Sequence, residues 1–124
     1  MAEWILRVTQ GSQEAASMLI LWASGIISGV IDNIPYTATM APMLSVIEQS
    51  MGAEYTLPLW WCLSLGACLG GNLTIIGAAA NVIVSENASA EGHPITFLRF
   101  LKYGFAVVVI SLAICTLYVK HAYL

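Results

Sequence analysis

The chain has 124 residues, of which 59% are hydrophobic and 9% are charged. Soluble domains carry about 25% charged residues, so this composition argues against an ordinary soluble protein and predicts an integral membrane protein. The formal net charge is −3 and the basic residues form no cluster, so nucleic-acid binding has no support.

Residues 1–13 form a short lead before the first apolar run. The apolar residues between Trp4 and Val8, with Arg7 beside them, are typical of one amphipathic turn at a membrane surface. The lead is too short and too polar for a cleavable signal peptide, so none is predicted.

A polar stretch interrupts the apolar sequence that follows the lead. Asp32 is the only charged residue between Ala15 and Ile47. A carboxylate at bilayer depth costs about 2.5–3.5 kcal/mol on insertion scales, so Asp32 is a candidate functional residue. Pro35 has no amide hydrogen, and a helix that enters this stretch is expected to break or end there.

The two apolar runs that flank this stretch are short. As a helix, 15–31 would be about 26 Å long, against a hydrocarbon core of about 30 Å. The second run, 36–47, is shorter still. We therefore predict a re-entrant helical hairpin over 14–48, and the alternative is one long kinked helix that continues past Pro42.

A longer charge-free run covers residues 55–85. As one straight helix it would be about 46 Å long, more than a bilayer needs. Its middle contains Gly70-Gly-Asn-Leu-Thr74, and adjacent glycines are poor helix formers. We predict an interrupted transmembrane helix, with half-helices at 57–69 and 75–84.

A polar loop is predicted over 86–97, and a final transmembrane helix over 97–119. Arg99 and Lys102, two of the four basic residues, lie at this boundary. The positive-inside rule therefore predicts that the loop is cytoplasmic.

Two motifs resemble the ion-transporter superfamily. They are Asp32-Asn-Ile-Pro-Tyr-Thr-Ala-Thr-Met40 and Cys68-Leu-Gly-Gly-Asn-Leu-Thr-Ile-Ile-Gly-Ala-Ala-Ala-Asn-Val82. Their order and separation are similar to those of the citrate-transporter-like domain, in the branch of arsenite permeases, sodium/proton antiporters and the P protein. The likeness covers about residues 14–119. Arsenite exporters often lack the acidic tip, so the antiporter or P-protein-like subgroup is favoured.

The resemblance implies an all-α integral membrane fold. Members of the family have two inverted repeats, and residues 14–120 would supply the hairpin, broken helix and final helix of part of one repeat. The missing first repeat would come from a longer parent gene or another chain, and we expect that this chain alone does not transport. The resemblance also implies a homodimer and a multi-pass location in the lipid bilayer of a bacterial-type inner or plasma membrane.

In this family the substrate and coupling-ion site lies between hairpin tips and helix breaks. The resemblance implies a small inorganic or organic ion as substrate, coupled to sodium or protons, and no cofactor other than a sodium ion. Asp32, Asn33 and Asn72 are the candidate sodium ligands, and we expect Asp32 and Asn72 to lie close together. The candidate substrate- and ion-binding residues are Asp32, Asn33, Pro35, Thr37 and Thr39 on the hairpin, and Gly70, Gly71, Asn72, Thr74 and Asn81 on the broken helix.

These residues also have structural interpretations. Asp32 can cap the second arm, where the helix dipole favours a negative charge. Asn33 and Asn72 can satisfy backbone amides at the breaks. The threonines can bond back to their own helix, and the glycines can permit close helix packing.

Two functional hypotheses follow. The first is a portion of a secondary transporter, and the second is a small non-transporting membrane subunit that serves packing or regulation. No nucleophile–base set is visible, so an enzyme is not predicted. The three cysteines lie in apolar stretches without metal-site spacing and are interpreted as packing residues.

Overall fold

The computed structural model describes residue 5 and residues 7–124, so the predicted amphipathic turn in the lead lies mostly outside the described residues. The described residues form helices and turns without strands, which confirms the all-α class. Along residues 13–124 the α-helices are α1 (Gln13–Ser28), α2 (Asn33–Met51), α3 (Ala53–Gly70), α4 (Ala79–Ala90) and α5 (Phe97–Ala122).

Helix α1 packs mainly against α3. It begins after Ser12, whose hydroxyl accepts a hydrogen bond from the amide of Ala15 at 3.4 Å. A Cβ atom on Gly70 of α3 would collide with the backbone of Gly25. Because neither residue has a side chain, the two helix backbones approach directly, as small residues allow at helix interfaces in membranes.

Helix α2 begins earlier and ends later than predicted. Its bounds are Asn33–Met51 instead of 36–47, and the chain break precedes it at 29–32. Pro35 lies in the first turn, where a helix does not need the missing amide hydrogen, so it starts the helix rather than breaking it. Helices α1 and α2 are therefore separate rather than one kinked helix.

The two arms of the predicted hairpin contact each other little, and both lie against α3. A hydrogen bond of 3.0 Å between the hydroxyls of Ser24 and Tyr36 joins them directly. At the other end of α2, the indole of Trp60 donates to the Glu48 carboxylate at 3.1 Å. The arms are thus organised around α3 and not around each other.

The helical run after Gly52 is interrupted over a longer stretch than the predicted 70–74. Short 3₁₀ turns occupy Gly71–Leu73 and Ile75–Gly77, and α4 begins only at Ala79. Only the Gly70-Gly71 pair predicted this interruption from the sequence. The second turn needs another glycine, since a Cβ on Gly77 would lie 2.6 Å from the carbonyl oxygen of Gly71.

Helix α4 extends to Ala90, so the loop predicted over 86–97 is reduced to 91–96. Helix α5 then starts at the predicted residue and buries a single stripe, which includes Val108, Leu112 and Val119. Among the described residues, α5 is the one helix that is long and apolar enough to cross a membrane. At 26 residues it is about 39 Å long.

Candidate functional site

The two interruptions of the helical chain contact each other. Thr74 as a residue is 5% exposed, and its hydroxyl donates to the carbonyl oxygen of Gly29 at 2.6 Å. A Cβ on Gly29 would lie 2.5 Å from the Leu73 side chain, and one on Gly77 would lie 3.0 Å from the Gly29 carbonyl oxygen. We call residues 29–32 and 71–78 together the break junction.

Polar side chains donate hydrogen bonds to backbone carbonyl groups at and beside the interruptions. The amide nitrogen of Asn81 donates to the carbonyl oxygens of Gly71 and Thr74, at 2.9 and 3.0 Å. The hydroxyl of Ser28 donates to the carbonyl of Ala67 at 2.6 Å. Buried carbonyls need such partners, so these side chains hold the backbone of the junction in place.

The predicted residues at the hairpin tip have mostly local partners. The Asp32 carboxylate accepts from the amide of Ile34 at 3.0 Å and caps α2. The hydroxyl of Thr39 donates to the carbonyl of Pro35, one turn earlier in the same helix, at 2.9 Å. In the structure, Asp32 thus caps a helix and Thr39 bonds back to its own helix. Neither interaction shows whether these residues also bind a ligand.

The other predicted side chains are divided between two recesses. Asn33 and Thr37 line a recess of about 320 Å³ together with Cys68. Asn72 lines a separate recess of about 790 Å³ that includes His93. Asp32 lines neither of them. Asp32 and Asn72 thus do not line the same one of these two recesses, and their expected proximity stays a prediction.

Metal-binding groups of the usual kind are not clustered in the described part of the chain. Within residue 5 and residues 7–124, no group of three or more histidine, cysteine, aspartate or glutamate side chains is placed to hold a metal ion. A sodium ion in this region would need amide, hydroxyl and carbonyl oxygens besides the Asp32 carboxylate, so the sodium site stays a prediction.

Sequence reasoning missed several residues of the site. Ser28, Gly29 and Gly77 build the junction, and none of them was predicted as a site residue. His93 and Arg99 line the larger recess, although they were interpreted only as loop and topology residues. No sequence pattern predicts that His93 and Arg99 line the same recess as Asn72, because the position of Asn72 depends on how residues 71–78 fold.

A family model described as citrate transporter, CitMHS, matches residues 1–123. The chain belongs to the citrate transporter family. This confirms the resemblance seen in the two motifs. The family and the relatives named as transporters are not enzymes. Membership of this family indicates that the chain is a membrane protein.

Three relatives illustrate the similarity. The chain is 46% identical over 118 residues to a 46 kDa membrane protein of Mycobacterium leprae, covering 94% of this chain and 28% of the relative. It is 43% identical over 118 residues to an uncharacterized transporter of Mycobacterium tuberculosis, with the same coverage of 94% and 28%. It is 44% identical over 112 residues to the P protein of Homo sapiens, covering 86% and 13%.

The chain thus spans 28% of the length of these mycobacterial relatives and 13% of the length of the P protein. No solved structure matches the chain.

Proposed function

We propose that this chain is the C-terminal portion of a secondary membrane transporter and forms part of its ion pathway. The transported species is a small inorganic or organic ion, and transport is coupled to sodium or protons. The observation that carries the proposal is the break junction, where the interruptions at 29–32 and 71–78 meet through Thr74 and Gly29. Paired helix interruptions of this kind build substrate and ion sites in secondary transporters.

The junction offers groups of opposite polarity. Asp32 supplies a carboxylate at the start of α2, which suits a cation or a proton. Helix α4 begins at Ala79 without a side-chain cap, and the amide of Asn81 donates to the carbonyl of Ala78. The amide N–H groups of Ala79 and Ala80 could therefore donate to an anion. This combination supports an anionic substrate moving with a cation, and equally an exchange of two cations at the carboxylate.

Three transport modes fit this chemistry: sodium/proton antiport, an arsenite or oxyanion permease, and a carboxylate permease. The acidic tip favours the antiporter or P-protein-like subgroup, and the relatives named P protein agree with that subgroup.

We also propose a multi-pass arrangement in a bacterial-type inner or plasma membrane. Apolar side chains beside the junction are exposed, including Ile26 at 59%, Val30 at 60% and Ile34 at 74%. Lipid and a further repeat of the transporter, from the same gene or another chain, would cover them. Homodimerisation would use a different surface.

The test is ion flux through the full transporter that contains this chain, reconstituted in liposomes. Asp32→Asn removes the charge but keeps a side chain that caps helices well, so folding should persist. We expect sodium- or proton-coupled flux to be lost. Glu86→Gln, which neutralises an exposed carboxylate on α4, should leave flux unchanged. Full coupled flux in Asp32→Asn would refute the proposal.

A second candidate is a small non-transporting membrane subunit. It is favoured by one observation, since Thr74 and Asn81 are both committed to backbone carbonyls. The same flux measurement decides between them, because a packing subunit would not depend on the charge of Asp32. We expect the isolated chain in liposomes to show no saturable transport, as it lacks a second repeat.

A further inference from the structure

The larger recess borders the break junction and shares Asn72 with it, but its other polar side chains come from the α4–α5 loop and α5. It has a volume of about 790 Å³ and is lined by the α4–α5 loop, the first turns of α5 and Asn72. Its polar lining comes from Asn72, His93, Arg99 and Tyr103. All four carry N–H or O–H donors, and the lining contains no carboxylate.

The electrostatics of this recess favour a negative ligand. Arg99 lies in the first turn of α5, where its amide hydrogen bonds to the Thr96 cap at 3.4 Å. The helix dipole is positive at this end, so a cation there is disfavoured by its own helix. The first turn of α5 also contains no acidic residue. The guanidinium and the helix terminus therefore add their positive potentials.

Arg99 has no carboxylate partner within the part of the chain that the structure describes. The ion pair found there joins Lys120 and Glu14, at the opposite end of α5. A guanidinium presents its donors in a planar fork that matches two oxygens of a carboxylate or phosphate. An oxyanion would therefore give the Arg99 guanidinium a charge partner that the described residues do not supply.

The depth of the recess is shaped by a close backbone contact. A Cβ on Gly104 would lie 2.5 Å from the carbonyl oxygen of Asn72, so the glycine lets the 71–78 segment rest directly on α5. Tyr103 and Val107 follow Arg99 along one face of α5, four residues apart each time. The lining of the recess thus combines a cationic side chain with apolar side chains.

We propose that this recess binds an oxyanion group, either a phosphate or a carboxylate, with Arg99 as the charge-pairing residue and Asn72 as a neutral donor. The group belongs to a free anion or to the headgroup of an anionic lipid, whose chain would lie along Val107. The binding itself does not rest on the proposed function, and only its place beside the ion pathway does.

The experiment follows side-chain NMR signals of the full chain in nanodiscs. The chain has two arginines, Arg7 and Arg99, so the guanidinium spectrum holds one reporter and one internal control. Nanodiscs of phosphatidylcholine are titrated with sodium phosphate and, separately, with sodium acetate. A second preparation contains phosphatidylglycerol. We expect the Arg99 and Asn72 side-chain signals to shift saturably while the Arg7 signal stays in place.

Variants test the assignment. Arg99→Gln should weaken binding, followed at Asn72, by about tenfold or more. Lys102→Gln removes the same charge from a neighbouring residue that does not line the recess, and should weaken it by less than about threefold. Arg99→Lys keeps the charge and loses the fork, so we expect an intermediate affinity. This variant decides the result if Arg99→Gln does not fold.

Each outcome has one meaning. Saturable shifts in phosphatidylcholine on adding phosphate or acetate support the proposal with a free anion as the source. Shifts that appear only with phosphatidylglycerol support it with a lipid headgroup as the source. The proposal is overturned by the absence of shifts in both preparations, by equal shifts at Arg7, or by equal weakening in Arg99→Gln and Lys102→Gln. Coupled flux in the Asp32→Asn transporter is independent of all these results.

Discussion

The hydroxyl of Thr74 donates to the carbonyl oxygen of Gly29 at 2.6 Å, across 45 residues of sequence. This bond joins the end of α1 to the interruption between α3 and α4. The break releases the Gly29 carbonyl from helical hydrogen bonding, and both residues are buried. A side chain in one interruption therefore satisfies a backbone carbonyl in the other. We expect neither interruption to keep its backbone geometry without the other.

Replacing Thr74 by valine keeps the shape and removes the donor. The Gly29 carbonyl is then buried without a partner, and we expect a loss of stability of about 1–3 kcal/mol. Thermal unfolding of the purified chain in detergent, followed by circular dichroism, measures it. Thr39→Val is the matched control because the Thr39 hydroxyl bonds within its own helix and is exposed, so its melting temperature should change little. Equal effects of the two substitutions would contradict the role given to Thr74.

Gly70→Ala tests the close contact between α1 and α3. The added methyl group would collide with the backbone of Gly25, which cannot move aside as a side chain can. We expect a destabilisation of about 1–3 kcal/mol, in the range of overpacked cores. Cys68→Ala, two residues away and exposed, serves as the control in the same melting experiment. An unchanged melting temperature for Gly70→Ala would show that the helices are farther apart.

Asn81→Asp tests the bridge between two carbonyl groups. An ionised carboxylate has no hydrogen to donate, so the carbonyls of Gly71 and Thr74 each lose a partner. The Thr74 carbonyl keeps the amide of Gly77 as a partner, so we expect a total loss of about 1–3 kcal/mol. The helix dipole favours an acid in the first turn of α4 by only about 0.3–1 kcal/mol, so the loss should dominate.

This loss should depend on pH. A protonated carboxyl group regains one donor, so the variant should become less stable as pH rises and the group ionises. Asn87→Asp, on an exposed part of α4, provides the control and should show a much smaller pH dependence. Melting curves between acidic and neutral pH give both values. If the stability of Asn81→Asp does not change with pH, Asn81 does not bridge the two carbonyl groups.

The broad architecture could be predicted from the sequence because composition and breaks are local signals. Asp32, and the glycine pair at 70 and 71, each marked a place where helical hydrogen bonding fails, although Pro35 lies inside the helix that follows. The start of α5 also followed from the residues around Phe97. These features depend on the chemistry of a few adjacent residues.

The partners of the polar side chains could not be predicted in the same way. Asn81 and Thr74 are candidate ion ligands because the resemblance to the ion-transporter superfamily implies that role. Their carbonyl partners lie 7 to 45 residues away and are set by how the 3₁₀ turns fold. The position of Asn72 beside Arg99 depends on the contact at Gly104, which has no sequence signature of its own.

The orientation of the chain in the membrane is tested at Ser89. This residue is exposed in the last turn of α4, just before the short loop that leads to Arg99 and Lys102. Basic residues near the end of a membrane helix favour the cytoplasmic side, so we expect this end of α5 to be inside the cell. A single cysteine at this position, made by Ser89→Cys after removal of Cys62, Cys68 and Cys115, should resist an impermeant thiol reagent in intact cells. Permeabilised cells should label fully, which controls for access. Rapid labelling in intact cells would reverse the orientation and place the anion-binding recess on the outer face.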